Sequence, residues 1–94
     1  MLVFVIYDIS DNKSRLTLIK KLQHFGLHRV QKSAFSGILT LKDRFKLCDE
    51  IELYLSSEKD SIIIIPICDS CGKSIEVFSD GNLFLPHEKE YKLV

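Results

Sequence analysis

The chain has 94 residues, of which 46% are hydrophobic and 28% are charged, and its formal net charge at pH 7 is zero. This size and composition indicate one globular domain and exclude a disordered or fibrous protein. No apolar run approaches the roughly 20 residues that a membrane-spanning helix needs, so we expect no association with a membrane.

The first third of the chain predicts a buried strand and an amphipathic helix. Residues 2–7 are all apolar or aromatic, which is typical of a central strand covered on both faces. Residues 10–12 supply side chains that cap helices. Residues 13–25 then follow a helical pattern, with Leu18 and Leu22 on the apolar face.

The middle of the chain predicts two more strands and a second helix. Residues 28–35 have the pattern of an amphipathic strand, Ser36–Gly37 that of a tight connection, and residues 38–41 that of a third strand. A second helix is predicted from Lys42 to about Ser56. The residues of its predicted apolar face are Phe45, Cys48, Ile51 and Leu55.

The last part of the chain completes a recognisable order of elements. Residues 62–67 predict a fourth strand, residues 74–78 predict a fifth, and residues 80–94 form a polar C-terminal tail. The order is βαββαβ plus one strand, which predicts an α+β, ferredoxin-like fold with an additional C-terminal strand. We expect residues 1–94 to form a single domain, with the core and the fifth strand within about residues 1–79.

The fourth strand suggests a symmetric homodimer. Pro66 is tolerated in a strand only at the edge of a sheet. Four consecutive isoleucines on such an edge would promote aggregation if nothing covered them. We therefore expect the fifth strand, from the same chain or from a partner in a symmetric dimer, to cover this edge.

The three cysteines, Cys48, Cys68 and Cys71, are an odd number for a secreted disulfide framework. Cys68 and Cys71 form a C-x-x-C motif, which could supply half a zinc site or a redox pair. A structural zinc needs four ligands, and only Cys48 and three scattered histidines remain. We expect free thiols here and a reducing, cytoplasmic location.

The zero net charge conceals a strong asymmetry between the two halves of the chain. Residues 1–47 contain nine Lys and Arg against three Asp and Glu, a net charge of +6, and residues 48–94 carry −6. Such an asymmetry indicates that the basic half binds a polyanion, although a solvated helix face is the simpler interpretation. The candidate contacts to a phosphate backbone are Lys13, Arg15, Lys20, Lys21, Arg29 and Lys32.

Asp8 is the strongest candidate for chemistry because it ends an apolar strand and so lies at the carboxyl edge of the sheet, where cations or substrates can approach. Asp8 and Asp11 together could hold Mg²⁺, which takes one or two carboxylates in proteins. Alternatively, Asp11 caps the following helix and Asp8 accepts hydrogen bonds from loop amides. Arg15 and Arg29 could bind a phosphate near Asp8 or form surface ion pairs.

Five segments of the chain form a recognisable combination: Tyr7-Asp-Ile-Ser-Asp11, the helix with Arg15, Gly26 to Gly37, Asp60-Ser61 and Ile-Pro66-Ile-Cys68. Together they resemble the small CRISPR-associated endoribonuclease family, whose members are the adaptation-stage partners of the CRISPR integrase. The resemblance covers nearly the whole chain with matching spacings. Thr17 stands where some members carry a second arginine.

The resemblance implies a homodimer in which Asp8 from each subunit shares a divalent metal, Mg²⁺ or Mn²⁺, with Asp11 as a further candidate ligand. It also implies that the fifth strand adds to the partner's sheet. The residues that it assigns to the catalytic cleft are Tyr7, Asp8, Arg15, Arg29 and Phe35. The implied activity is metal-dependent cleavage of single-stranded RNA or double-stranded DNA, with the CRISPR integrase as partner during spacer acquisition in antiviral defence.

Two alternatives remain open at this point. In the first, the protein is a non-catalytic DNA-bridging scaffold of the integrase complex, and its basic residues follow a duplex backbone. In the second, which is less favoured, it is a related ferredoxin-like toxin ribonuclease of the virulence-associated protein D type.

Overall fold

The computed structural model describes residues 1–79 and the backbone of the short strand Lys92–Leu93. The rest of the predicted C-terminal tail, residues 80–91 and residue 94, lies outside the described residues. The strands are β1 (Leu2–Asp8), β2 (His28–Gln31), β3 (Ala34–Ile38), β4 (Ser61–Ile67), β5 (Glu76–Val77) and β6 (Lys92–Leu93). The helices are α1 (Asn12–His24), α2 (Leu41–Ile51), a 3₁₀-helix (Glu52–Tyr54) and α3 (Asp69–Gly72).

Four strands form an antiparallel sheet in the order β2-β3-β1-β4. This α+β arrangement is consistent with the predicted ferredoxin-like fold. The predicted central position of β1 is confirmed, and so is the edge position of β4 that accommodates Pro66. No helix in the described part of the chain is long and apolar enough to cross a membrane.

The core lies between one face of the sheet and the two long helices. Alternate residues of β1, namely Val3, Val5 and Tyr7, point into this core and are at most 3% exposed. The helical residues that pack in the same cluster are Leu18 and Leu22 of α1 and Leu47 and Ile51 of α2.

The opposite face of β1, called the open face below, is only partly covered in the single chain, so the prediction of a strand covered on both faces holds at Leu2, which is 2% exposed, but not at Phe4 and Ile6. Phe4 is half-buried and Ile6 is 41% exposed. On neighbouring strands, Ile63 is 52% exposed and Ile65 is 39% exposed. The cause lies in the connections: both helical crossovers pass over the same face of the sheet, since such connections share one handedness.

The hairpin between β2 and β3 turns at residues 32–33, so the predicted turn at Ser36–Gly37 was wrong. Ser36 and Gly37 lie within β3 and are buried. A Cβ atom added to Gly37 would lie 2.7 Å from Leu27 Cδ2. This glycine therefore provides space for close packing and does not form a turn.

Ile51 is buried as predicted, but the rest of the predicted apolar face of the second helix was wrong. Phe45 is 55% exposed and Cys48 is exposed, whereas Leu47 and Ile51 are the buried residues. The helix begins earlier than predicted, with the Thr40 hydroxyl as its N-cap, and it ends at Ile51. The 3₁₀-helix that follows changes the angular spacing of the side chains, so Leu55, predicted on the same face, is 44% exposed.

The fifth strand is shorter than predicted and does not join the main sheet. β5 pairs in parallel with β6, in a separate two-stranded sheet. The sequence did not predict β6, and the short helix α3 occupies the predicted turn before β5. Addition of the fifth strand to a partner's sheet stays a prediction.

Candidate active site

A cleft of about 330 Å³ opens where β1 ends, beside the start of α1 and the β2–β3 hairpin. The residues that line it are Tyr7, Asp8, Ile9, Arg15, Arg29, Lys32 and Ser33. It therefore brings together four of the five residues assigned to the catalytic cleft, although they come from three separate elements of the chain.

Asp8 contributes the acidic group of the cleft. It is exposed at the last position of β1, and its neighbour on β4 is Ser61. Asp8 is two positions after Ile6 on β1, so both side chains lie on the same, open face of the sheet. Among the described residues that line the cleft, Asp8 is the only acid, and the basic residues of the lining are two arginines and a lysine.

Arg15 is held against the loop that connects β1 to α1. Its Nη1 donates a hydrogen bond to the Ile9 carbonyl oxygen at 3.1 Å, and its Nη2 donates one to Asn12 Oδ1. A guanidinium has five N–H donors, so further donors are available to a phosphate in the cleft. The Thr17 hydroxyl, one turn further along α1 than Lys13, donates a hydrogen bond to the Lys13 carbonyl oxygen.

Arg29 is positioned by an aromatic platform. Its guanidinium carbon lies 5.6 Å from the centroid of the Phe35 ring, and the Phe35 and Tyr7 centroids are 6.2 Å apart. Phe35 and Tyr7 are 0% and 3% exposed. These two residues, predicted as catalytic, therefore support the cleft from inside the core.

Tyr7 also holds the β2–β3 hairpin, which carries Lys32, through its side chain and its backbone. Its hydroxyl donates a hydrogen bond to the Lys32 carbonyl oxygen at 3.3 Å, and its backbone N–H donates one to the Ser33 carbonyl oxygen at 3.0 Å. The ring thus links the end of β1 to the turn on the other side of the cleft.

Asp11 serves as the N-cap of α1, which was the alternative interpretation of its sequence position. Its Oδ2 accepts a hydrogen bond from the Ser14 N–H at 2.8 Å. This bond is the main reason why the pKa of Asp11 lies below its usual value. A role for Asp11 in metal binding stays a prediction.

Three predicted contacts to a phosphate backbone, all on α1, lie outside the cleft and differ in their surroundings. Lys13 and Lys20 are exposed on α1. Lys21 Nζ, by contrast, lies 2.9 Å from Glu50 Oε2 on α2, and this partner raises the pKa of Lys21. Lys21 thus connects the two helices, an assignment that depends on tertiary packing and has no signal in the local sequence.

The donor chemistry of the cleft fits a hard divalent cation only in part. Asp8 supplies carboxylate oxygens, and Mg²⁺ in proteins is usually held by one or two carboxylates together with substrate phosphates and waters. Within residues 1–79, no group of three or more His, Cys, Asp or Glu is arranged to hold a metal ion. Asp8 is therefore suited to be one ligand of such a site, which a substrate phosphate and waters would complete.

The C-x-x-C motif is remote from the cleft. Cys68 follows the end of β4 that pairs with Leu2, whereas Asp8 pairs at the opposite end with Ser61. Cys68 and Cys71 are exposed free thiols. They take no part in the arrangement around Asp8.

Comparisons with known proteins agree on one family. The family described as CRISPR associated protein Cas2 matches residues 1–75, which include all of the cleft. A CRISPR-associated endoribonuclease Cas2 from Archaeoglobus fulgidus is 43% identical over 94 residues and is aligned along the whole of both chains. One from Thermofilum pendens is 30% identical, with 99% of each chain covered.

A solved structure is similar in fold as well. It is a hypothetical protein from Thermus thermophilus, which superimposes with a TM-score of 0.64 at 31% identity. The match covers 71% of this chain and 80% of that one.

Proposed function

The chain belongs to the CRISPR associated protein Cas2 family, and from this membership we propose that it is a metal-dependent endoribonuclease that acts at the Asp8 cleft. The observation that carries the proposal is the exposed carboxylate of Asp8 in a cleft lined by Arg15, Arg29 and Lys32. In this arrangement the three basic side chains can bind a phosphodiester while the single carboxylate binds a divalent cation beside it. Single-stranded RNA is the first candidate substrate because the curated relatives are named endoribonucleases.

In this proposal, Arg15 and Arg29 bind the phosphate group to be cleaved. A guanidinium presents a planar fork of donors that matches two phosphate oxygens. Both guanidinium groups are held before substrate arrives, Arg15 by the Ile9 carbonyl and Arg29 by the Phe35 ring. Such preorganisation lowers the entropic cost of orienting the phosphate.

Asp8 would hold the divalent cation, Mg²⁺ or Mn²⁺. When bound, such a cation supplies Lewis acidity and neutralises the charge that develops on the phosphate. Asp8 and the arginines therefore have separate tasks, since the carboxylate retains the cation and the guanidinium groups retain the phosphate.

We further propose that the protein is a homodimer whose subunits meet through the open face of the sheet. This face presents exposed Ile6, Ile38, Ile63 and Ile65. Exposed apolar surface of this kind marks an interaction site. Asp8 ends the same face of β1, so two such faces packed about a two-fold axis would bring both Asp8 residues toward a shared cation.

The CRISPR integrase is the proposed protein partner, and spacer acquisition the proposed process. The non-catalytic scaffold is retained as the second candidate function because the cleft lining contains three basic residues and one acid. A cleft with this excess of positive charge can bind a nucleic-acid backbone without cleaving it.

A cleavage panel separates the two candidates. Purified protein is incubated with single-stranded RNA and with duplex DNA, each with Mg²⁺, Mn²⁺ or a chelator. The enzyme hypothesis predicts cleavage that depends on the cation and is lost in Asp8→Asn. Asp49→Asn, which changes an exposed carboxylate on α2, should retain the activity.

The outcomes discriminate directly. Cleavage that persists equally in Asp8→Asn would contradict the enzyme hypothesis and indicate a contaminating nuclease. Retained DNA binding and integrase-dependent spacer integration, with no cleavage by the wild-type protein, would favour the scaffold.

A further inference from the structure

The carboxylate of Asp60, just before β4, is the centre of a hydrogen-bond network beside the cleft. Its Oδ1 accepts from the Ser10 N–H, the Ser10 hydroxyl and the Ser57 hydroxyl, each at 3.0 Å. Its Oδ2 accepts from the Ser56 N–H at 2.8 Å and from the Ser56 hydroxyl at 2.6 Å. Asp60 thereby connects the loop before β4 to the loop between β1 and α1.

One peptide group in this network is held at both ends. The Ser10 N–H, which donates to Asp60, belongs to the same peptide unit as the Ile9 carbonyl, which accepts from Arg15 Nη1 at 3.1 Å. Because a peptide unit is planar and trans, its N–H and its carbonyl point in opposite directions. The orientation that satisfies Asp60 is therefore the one that presents the Ile9 carbonyl to Arg15.

We propose that Asp60 is a positioning residue for Arg15: by holding the Ile9–Ser10 peptide it sets the place of the Arg15 guanidinium in the cleft. This inference rests on the proposed function only in giving Arg15 the task of binding phosphate. The linkage itself, from carboxylate through peptide to guanidinium, consists entirely of contacts within the chain.

The chemistry of the network makes it suited to this task. The Ser56 hydroxyl, followed by the Ser10 and Ser56 backbone N–H groups, lowers the pKa of Asp60. The carboxylate is therefore charged at every pH at which RNA is stable enough to assay, and hydrogen bonds to a charged acceptor are stronger than those between neutral groups. An asparagine in its place would have one accepting oxygen where the carboxylate has two.

A double-mutant cycle on RNA cleavage tests the linkage. Asp60→Asn should lower kcat by about 10- to 100-fold, the range expected when a reacting group is misplaced, with little change in KM. In an Arg15→Ala background the same substitution should change kcat by less than about twofold, because residues that act through one another are not additive. Equal losses in both backgrounds would overturn the proposal.

Ser57→Ala provides the matched control. It removes one donor to the same Asp60 oxygen and a 3.4 Å contact with the Ser10 hydroxyl, but the Ser57 side chain has no hydrogen bond to the Ile9–Ser10 peptide group itself. We expect kcat within about twofold of the wild-type value, since neighbouring contacts outside the linkage should not couple to Arg15. A loss as large as that in Asp60→Asn would overturn the proposal.

Amide hydrogen exchange tests the linkage without any assay of cleavage. Ser10 is exposed, so its amide should exchange nearly as fast as in an unfolded chain unless the bond to Asp60 protects it. We expect wild-type protection of at least about 10-fold, lost in Asp60→Asn together with a shift of the Arg15 guanidinium signals in NMR spectra.

The two readouts separate the failure of this inference from that of the proposed function. A wild-type protein that cleaves no RNA but protects the Ser10 amide would contradict the function and support the linkage. An unprotected Ser10 amide in the wild-type protein, which requires no variant to fold, would overturn the linkage. So would Arg15 signals that are unchanged in a folded Asp60→Asn variant.

Discussion

The guanidinium carbon of Arg29 lies 5.6 Å from the centroid of the Phe35 ring, and the Phe35 side chain is fully buried. An exposed residue of β2 is thus oriented by a core residue of β3 directly opposite it in the sheet. The contact explains how a short edge strand can present a long, flexible side chain to the cleft in one orientation.

Replacing the ring should therefore weaken RNA binding through Arg29. A cation–π contact contributes about 0.5–1 kcal/mol at an exposed site, so Phe35→Leu should raise the Kd for single-stranded RNA by about two- to fivefold. The affinity is best measured by fluorescence anisotropy in an Asp8→Asn background with a chelator present, where we expect no cleavage. In a protein that also carries Arg29→Ala, Phe35→Leu should have no further effect, and a further loss would indicate general damage to the core.

The open face of the sheet predicts which substitution would dissociate the proposed dimer. Ile63→Lys places an unpaired charge on the apolar face, where burial of an isoleucine stabilises an interface by about 1.5–3 kcal/mol. Sedimentation should show a dimer dissociation constant that rises by about 10-fold or more. Leu53→Lys, at an 83% exposed position of the 3₁₀-helix, should leave association unchanged. A wild-type protein that sediments as a monomer would refute the proposed interface.

Two adjacent lysines on α1 should respond differently to charge reversal. Lys20 is exposed, so Lys20→Glu should weaken RNA binding and reduce the slope of log K against log salt by about 0.7 per lost phosphate contact. Lys21→Glu instead places a carboxylate beside Glu50, so it should lower the melting temperature. The exchanged pair Lys21→Glu with Glu50→Lys should restore that temperature. If Lys21→Glu reduces RNA affinity more than Lys20→Glu, the assignment of Lys21 to helix packing fails.

Cys68 should be the most reactive thiol near neutral pH. A hydrogen bond with the Ser70 hydroxyl, at 3.4 Å from Sγ, and others with Cys71 lower the pKa of Cys68 to about 7. The hydrogen bond between the two thiols in turn raises the pKa of Cys71. Since the thiolate is the reactive form, iodoacetamide should modify Cys68 first, with a rate that rises through about pH 7. Mass spectrometry of the labelled protein measures this. In Ser70→Ala the midpoint should move to higher pH, and an unchanged midpoint would contradict the assigned cause.

The sequence predicted the parts of the fold that depend on local pattern. The apolar run of β1, the buried Leu18 and Leu22 of α1 and the edge position of Pro66 are confirmed because each reflects periodicity or backbone chemistry within a few residues. The apolar face of α2 was predicted correctly only at Ile51: Leu47 packs into the core in place of Phe45 and Cys48, and a 3₁₀-helix breaks the period before Leu55. The turn at Ser36–Gly37 was wrong because Gly37 is needed for packing against Leu27, which local sequence does not report.

The candidate site could also be predicted from the sequence only in part. Asp8 could be selected from sequence because a carboxylate that ends an apolar strand is unusual. The backbone carbonyl of Ile9 could not be selected, since an apolar residue carries no signal that its main chain binds an arginine. Asp60 formed part of the family resemblance, but its contact with Ser10, fifty positions away in sequence, exists only after folding.

The most direct test of the account is the separation of binding from cleavage in Asp8→Asn. Single-turnover cleavage of single-stranded RNA in Mg²⁺ is measured at protein concentrations that saturate the RNA, alongside the Kd of the same RNA. We expect Asp8→Asn to bind RNA at least as tightly as the wild type, because Arg15, Arg29 and Lys32 remain in the cleft, and to have lost cleavage. Wild-type cleavage rates in the saturated Asp8→Asn complex would contradict a catalytic role for Asp8.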